Sequence, residues 1–433
     1  MSDLKAQNAD ENPPLLARFE DLFTETGIAI NDTTPHLVLH IADSKTEPPL
    51  PTTAIKPPRK KGLSFYFETF EHMTIGNDVL LRFSEDDVPK RASDIKLHLV
   101  NGLALTYGQV LALGGDFYGI ADRPICDGTT GPDRRSRFIA AFNSLGVLPS
   151  SVAEVAKILD VAQKEANAVA QAIRDGKEAE QAYAALGDTL SEEWNRITGG
   201  GSVFSDLFPL GRYLKLAANN ADHFGHWAIL AYIAGHGAAL QHAATAHASQ
   251  DRKILEQAYA MNAFADHFLT DLFASGHLRV PRKELAEQVT PGDLGSLISR
   301  FMHDEDNKYG LKVRNSLGEQ WRAYGDKRYF DLLDEARFPI TLAVQASADE
   351  VFSAYASGTV LDERGFTALQ HLPDLNAVLT PASNFSPLFR LEGDKVLRRK
   401  DVNNLNDTAT VDDWWGWSTY LLLKDYKPTG NTN

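Results

Sequence analysis

The segment Ala265-Asp266-His267-Phe268-Leu269-Thr270-Asp271-Leu272-Phe273-Ala274-Ser275-Gly276-His277 holds the sharpest chemical signal in this chain. His267 and Asp271 are four residues apart, so on a helix they project from one face about one turn from each other. Ser275-Gly276 is expected to stop that helix and let His277 fold back toward the same point. Two imidazoles and a carboxylate converging in this way suit Zn²⁺, which takes nitrogen and carboxylate oxygen readily. One carboxylate can also bridge two ions about 3.5–4 Å apart, the spacing used in two-metal phosphoester chemistry. A solvated amphipathic helix would carry the same His-x3-Asp pair. Helix, stop and third histidine together favour a metal centre.

The distribution of histidine agrees. Eight of the 13 histidines lie between His223 and His303. Asp222 and His236 cannot share an ion if one helix joins them, because fourteen residues at ~1.5 Å rise put them about 20 Å apart. Asp222 and His223 are therefore expected at or before a helix start, with Gly225 opening the helix. His236 would ligate only if other elements fold toward it, and Asp222 has a second reading as a group that orients a ligand by hydrogen bonding. His226, His242 and His247 read as surface or supporting residues. Arg279 and Arg282, just after His277, read either as phosphate contacts or as solvated charges at a helix end.

The bulk composition narrows the classes. The 433 residues carry a net charge of −15, which repels phosphate backbones and disfavours nucleic acid held by broad electrostatics. Cys126 is the single cysteine, so an intrachain disulfide and a thiolate-rich zinc site are both excluded. The polar, acidic start of the chain lacks the apolar core of a Sec signal peptide. The expectation is a cytoplasmic protein or one exported by a signal-independent route. No run of 18 apolar residues predicts a transmembrane segment.

The elements that must position these groups are mostly helical. Residues 106–113, 225–248, 252–274 and 294–302 read as helices. Ser151 with Glu154 suggests a capping box opening a long alanine-rich segment, broken near Gly176 and ending near Trp194. Ser347 with Glu350 suggests another before residues 351–355. Strands are expected at 37–39 and within 62–100, where Leu63-Ser64-Phe65-Tyr66-Phe67 and Ile95-Lys96-Leu97-His98-Leu99 stand out; Glu71 and His72 fall in a run read as a strand packed on the helical core. Residues 45–61 read as a Pro/Lys-rich linker. The predicted fold is mainly α: a partly extended N-terminal region (1–100), a helical metal-binding catalytic domain (101–334) and an irregular C-terminal extension (335–433). Asp413-Trp414-Trp415-Gly416-Trp417 reads as a structural cluster, with a lipid-facing patch as the second reading.

His267-x3-Asp271-x5-His277 resembles the central motif of the zinc-dependent phospholipases C and the related single-strand nucleases. Asp222-His223-Phe224 is similar to the Asp-His-Phe of the bacterial phospholipases, and His303 is placed as the downstream histidine of that superfamily. Leu105 to Gln109, Gly115 to Gly119, Asn219 to Phe224 and Gly235-His236 extend the likeness over roughly residues 100–330. The resemblance implies a phospholipase C-like helical fold holding two or three zinc ions. It implies hydrolysis of glycerophospholipids, phosphatidylcholine first among them, to diacylglycerol and a phosphorylated headgroup, with transient contact to a membrane surface. Asp271 would bridge, and His267, His277, His303 and His223 would be the nitrogen ligands, with Asp222 and His236 as further candidates.

The sequence departs from the family in three places. The classical enzymes use an N-terminal Trp as ligand, and Asp116, after Gly114-Gly115, is the expected substitute; with Asp271 it is a candidate catalytic carboxylate. Four residues after His303 stands Asn307 in place of a carboxylate, leaving Asp304 or Asp306 to serve. His236 has no clear counterpart. The alternatives are a nuclease or nucleotidase on the same framework, and a metal-stabilised binding protein without turnover.

Overall fold

From Thr69 the chain enters α1 (Thr69–Asp78), the antiparallel pair β1 (Leu80–Leu81) and β2 (Lys90–Arg91), the pair β3 (Leu97–His98) and β4 (Ala104–Leu105), and α2 (Tyr107–Leu113). The computed structural model describes residues 69–176, 189–200, 210–290, 292–325, 335–380, 383–424, 426–430 and 432. The strand-like runs at 37–39 and 63–67 and the linker at 45–61 lie outside them. After α2 come α3 (Gly131–Gly146), α4 (Ser150–Arg174), α5 (Thr189–Ile197) and α6 (Arg212–Ala218). The 3₁₀ turn Ala221–His223 leads into α7 (Gly225–Ser249) and α8 (Arg252–Asp271). Then follow α9 (Ser275–Leu278), α10 (Arg282–Gln288), α11 (Gly292–Tyr309) and the hairpin β5 (Leu311–Arg314)/β6 (Gln320–Ala323), paired Val313 to Trp321. The C-terminal part holds α12 (Arg337–Ser357), α13 (Leu375–Val378), the antiparallel sheet β7 (Phe389–Glu392), β8 (Lys395–Arg399), β9 (Thr410–Val411), and α14 (Gly416–Lys424). The fold is mainly α, as the sequence patterning predicts.

The centre is set by α7, whose core-spanning run from Ala228 to Leu240 is buried on every side. A helix without a polar face must sit inside, surrounded by others. Its neighbours are α8, α12 and α3. Small residues allow close approach: a Cβ on Gly235 would stand 2.4 Å from the Phe138 ring and 2.6 Å from the Ala265 methyl. The helices α1 and α2 cross at a second glycine contact, where a Cβ on Gly76 would lie 2.6 Å from Gly108 Cα. Gly108 is equally constrained, since its own Cβ would meet the Met73 carbonyl oxygen at 2.1 Å. A smaller apolar core, including Phe224, Leu285, Ile298, Met302, Phe389 and Leu423, joins α10 and α11 to the C-terminal sheet and α14.

Three local expectations are corrected. Residues 69–78 are helix, not strand, because His72, Ile75 and Gly76 are spaced for one helical face that packs on α2. Ser151 lies inside α4, its Oγ donating to the Leu145 and Leu148 carbonyls, and forms no capping box with Glu154. Ser347 and Glu350 form none either. They lie inside α12, where Ser347 Oγ donates to Asp266 and Glu350 faces His236. Conversely, a capping box occurs at Thr106 and Gln109, at the start of α2. The 3₁₀ turn before Gly225 is where Asp222 and His223 were expected. Among the described residues no single helix is long and apolar enough to cross a membrane.

Candidate metal centre

α8 delivers His267 and Asp271 from one face, both fully buried. The chain then turns through Leu272 to Ala274 and enters α9, which carries His277. Ser275 N–H binds the Tyr324 carbonyl at 3.0 Å, and Ser275 Oγ donates to the Asp306 carbonyl at 2.9 Å. These bonds fix the return of the chain toward α8. The turn before α7 brings His223 to the same place, with its Nδ1 2.7 Å from Asp271 Oδ2 and 3.2 Å from His267 Nε2. His267 Nε2 lies 3.7 Å from Asp271 Oδ2 and 3.8 Å from Asp116 Oδ1.

A further candidate ligand comes from α1, where the sequence places a strand and no ligand. His72 Nε2 lies 3.5 Å from Asp271 Oδ1, and its ring centroid is 4.4 Å from that of His267. The signal was the helical spacing of His72 with Ile75 and Gly76; nothing local pointed to the long-range partner. Asp271 therefore has imidazoles on both oxygens, His72 on Oδ1, and His223 and His267 on Oδ2.

The hydrogen bonds select the tautomers. The Thr270 hydroxyl donates to the carbonyls of Asp266 and His267, so Thr270 Oγ1 accepts from His72 Nδ1 at 2.9 Å. His267 Nδ1 donates to the Leu111 carbonyl at 3.1 Å, and His277 Nδ1 to the His223 carbonyl at 2.9 Å. In each ring the other nitrogen keeps its lone pair, the arrangement in which backbone acceptors orient metal-binding histidines. Burial pushes the His223 imidazole down to about 3, with nearby Arg282 acting the same way. Burial, followed by the proximity of His223, holds His267 well below its usual value. Both rings are thus neutral at ordinary pH, the form that binds metal.

Gly115 makes the assembly possible. Its φ is +71°, and a Cβ there would lie 2.4 Å from His267 Cδ2 and 2.9 Å from His223 Cε1. With glycine, the backbone passes against both rings and sets Asp116 beside them. Two groups of ligand atoms, His72/Asp116/His267 and His223/His267/Asp271, each gather within 4.8 Å, close enough to hold an ion. His277 falls in neither: its Nδ1, 3.8 Å from Asp271 Oδ1, is spent on the His223 carbonyl. The nitrogen and carboxylate donors fit zinc, and no thiolate takes part.

The remaining candidates are placed differently. Asp222 accepts the backbone N–H groups of Ile125 at 2.8 Å and Cys126 at 2.7 Å, so it straps the loop beside His223 and supplies no ligand atom. His236 lies in another buried network: Nδ1 binds Asn262 Oδ1 at 2.5 Å and Nε2 binds Glu350 Oε2 at 2.8 Å. That network continues through Ser347 and Tyr107 to Asp266, whose carboxyl burial pushes up to about 7. His303 borders the centre, its ring centroid 5.1 Å from that of His277. However, Asn307 Oδ1 accepts the Gly276 N–H at 2.6 Å, which turns the Asn307 NH₂ onto His303 Nε2 at 3.2 Å. His303 Nδ1 faces Asp304 Oδ1 at 3.1 Å, so both ring nitrogens are engaged. Asp306 is held by Arg279 at 2.7 and 3.0 Å and is no ligand for His303. Arg282 is likewise buried, on Asn220, Ser296 and Ser299. Both guanidiniums are bonded within the protein.

A cavity adjoins this centre at His223. Gly115 and His223 form part of its wall, with Ile120, Pro124, Ile125 and Leu216 as apolar lining. Fold and site together define a helical protein with a buried histidine–aspartate centre able to hold metal ions. Comparisons of the chain with family models, with curated proteins and with solved structures yield no match.

Proposed function

We propose that this protein is a metal-dependent phosphoric ester hydrolase of the phospholipase C type, with zinc at the His/Asp centre. The observation that carries the reading is Asp271, whose two carboxylate oxygens face separate imidazoles inside a buried pocket. That is the disposition a bridging carboxylate needs, and bridged ion pairs suit phosphoester chemistry. Zinc bound there would supply Lewis acidity and ionise a water near neutral pH, for attack on phosphorus.

The residues have separable tasks. His223 and His267 stay neutral through burial, and the Leu111 carbonyl, by taking the His267 Nδ1 proton, leaves the His267 Nε2 lone pair on the Asp271 side. His72 serves the Oδ1 side of Asp271, and Asp116 adds negative charge next to His267. The cavity beside His223 carries Ile120, Pro124, Ile125 and Leu216 on its wall, which suits an ester with hydrocarbon portions. The likeness of His267-x3-Asp271-x5-His277 to the zinc phospholipases selects a glycerophospholipid, with release of diacylglycerol and a phosphorylated headgroup. Trp415, Trp417, Leu421 and Leu422, all exposed on or beside α14, favour transient contact with a lipid surface.

Metal content and release of phosphorylated headgroup from phosphatidylcholine, measured for the wild type and Asp271→Ala, test the reading. Two zinc equivalents with hydrolysis abolished in the variant support it. Protein purified without chelator that carries no stoichiometric metal overturns it.

A further inference from the structure

We infer that Arg123 is a specificity-determining residue, positioned to receive a second anionic group on the substrate beside the reacting phosphate. The inference rests on the hydrolase reading above and addresses the headgroup.

Arg123 lines the same cavity whose wall includes Gly115 and His223. Its side chain is exposed, and among the described residues its guanidinium has no ion pair or side-chain hydrogen bond. Its loop, by contrast, is held tightly. Arg123 N–H binds the Ile120 carbonyl at 2.9 Å, and Arg137 Nη1 donates to the Pro124 carbonyl at 3.1 Å. Ile125 and Cys126 give their N–H groups to Asp222, the neighbour of His223 in sequence. One carboxylate thus ties the arginine loop to the turn that delivers a candidate metal ligand. The backbone of the arginine loop is thereby tied to the centre, while the guanidinium remains available.

The nearby acids do not neutralise it. Asp222 is consumed by the two backbone donors, and Asp127 pairs with Lys283 at 2.6 Å. Asp122 is exposed to solvent on the adjoining turn and lies outside the cavity lining. The protein as a whole carries −15, so an anionic substrate is repelled at long range. An arginine on the cavity lining offsets that locally and offers a planar fork matched to carboxylate or phosphate. In the hydrolase reading the metal centre would serve the reacting phosphate. Arg123 is therefore left for an additional anion, a carboxylate or second phosphate on the headgroup, and disfavours a quaternary ammonium there.

Diacylglycerol release from phosphatidylserine and phosphatidylcholine vesicles is measured for the zinc-loaded wild type, Arg123→Lys and Arg123→Glu. The expected result is faster turnover of the serine lipid by the wild type. The serine-to-choline rate ratio should fall by about tenfold or more in Arg123→Glu and be largely retained in Arg123→Lys. Because the readout is a ratio within one preparation, partial loss of folded protein does not alter it. An equal ratio in wild type and Arg123→Glu overturns the inference and leaves the hydrolase reading standing. Release from neither lipid overturns the phospholipase reading instead, and calorimetry then decides the inference. Tighter binding of glycerophosphoserine than of glycerophosphocholine, lost in Arg123→Glu, supports it; equal binding of the two overturns it.

Discussion

His223 Nδ1 sits 2.7 Å from Asp271 Oδ2, although the two residues are 48 apart in sequence and belong to separate helical units. The contact is fully buried and is shared with His267, so three elements, the turn before α7, the end of α8 and the Gly115 loop, meet at one carboxylate. Ion binding, pH response and local packing should all report on that junction.

His72 and His236 are both buried histidines, but only one faces the centre. His72→Ala is expected to lower bound zinc by about one equivalent, since it removes the nitrogen opposite Asp271 Oδ1. His236→Phe should leave zinc content unchanged while costing about 1–3 kcal/mol of stability, because Asn262 and Glu350 lose their partner. Elemental analysis with denaturant unfolding of the metal-free proteins separates the two. Zinc loss in His236→Phe would contradict the placement.

Asn307 is expected to limit the number of ions the centre can hold. Its amide hydrogen-bonds to His303 Nε2 where a carboxylate would leave that nitrogen open. The wild type should bind no more than about two zinc ions, and Asn307→Glu should gain about one more by freeing His303 for coordination alongside His277. Mass spectrometry of the native protein at increasing free zinc measures this. Three tightly bound ions in the wild type would refute it.

Stability should fall with acid in the metal-free protein. The native-state value of His223 is pushed down to about 3, against an unfolded value of about 6.5. Between these values the unfolded chain binds more protons than the native one, so stability rises with pH there. The contribution is complete above about pH 6.5 and is lost progressively as pH falls toward 3. His267 acts in the same direction. Thermal unfolding across this range should show a shallower slope for His223→Gln; an unchanged slope would count against the assignment.

Gly115→Ala tests the close approach of backbone to the two rings. Its φ of +71° disfavours any side chain, and the methyl would be forced against His267 Cδ2 at 2.4 Å. Zinc affinity should drop by about tenfold or more with helix content retained. A competition titration against a chromophoric chelator reads the affinity directly, and wild-type affinity in the variant would show that the rings do not need this contact.

The linear sequence determined the features encoded by local spacing. A spacing of four from His267 to Asp271 places them on one helical face whatever the rest of the chain does, and the apolar run of α7 requires an interior helix. Tertiary structure decided which polar groups meet. His72 reaches Asp271 because two glycines let α1 and α2 touch; His236 is claimed by Asn262 and Glu350; Asn307 turns its amide on His303; and Arg279 is taken by Asp306. Each of the last three could equally have carried the local signal of a ligand or a phosphate contact. The difference lies in burial: a polar side chain removed from water must bind whatever partner the packing presents, and that partner comes from a distant segment with no sequence spacing to announce it.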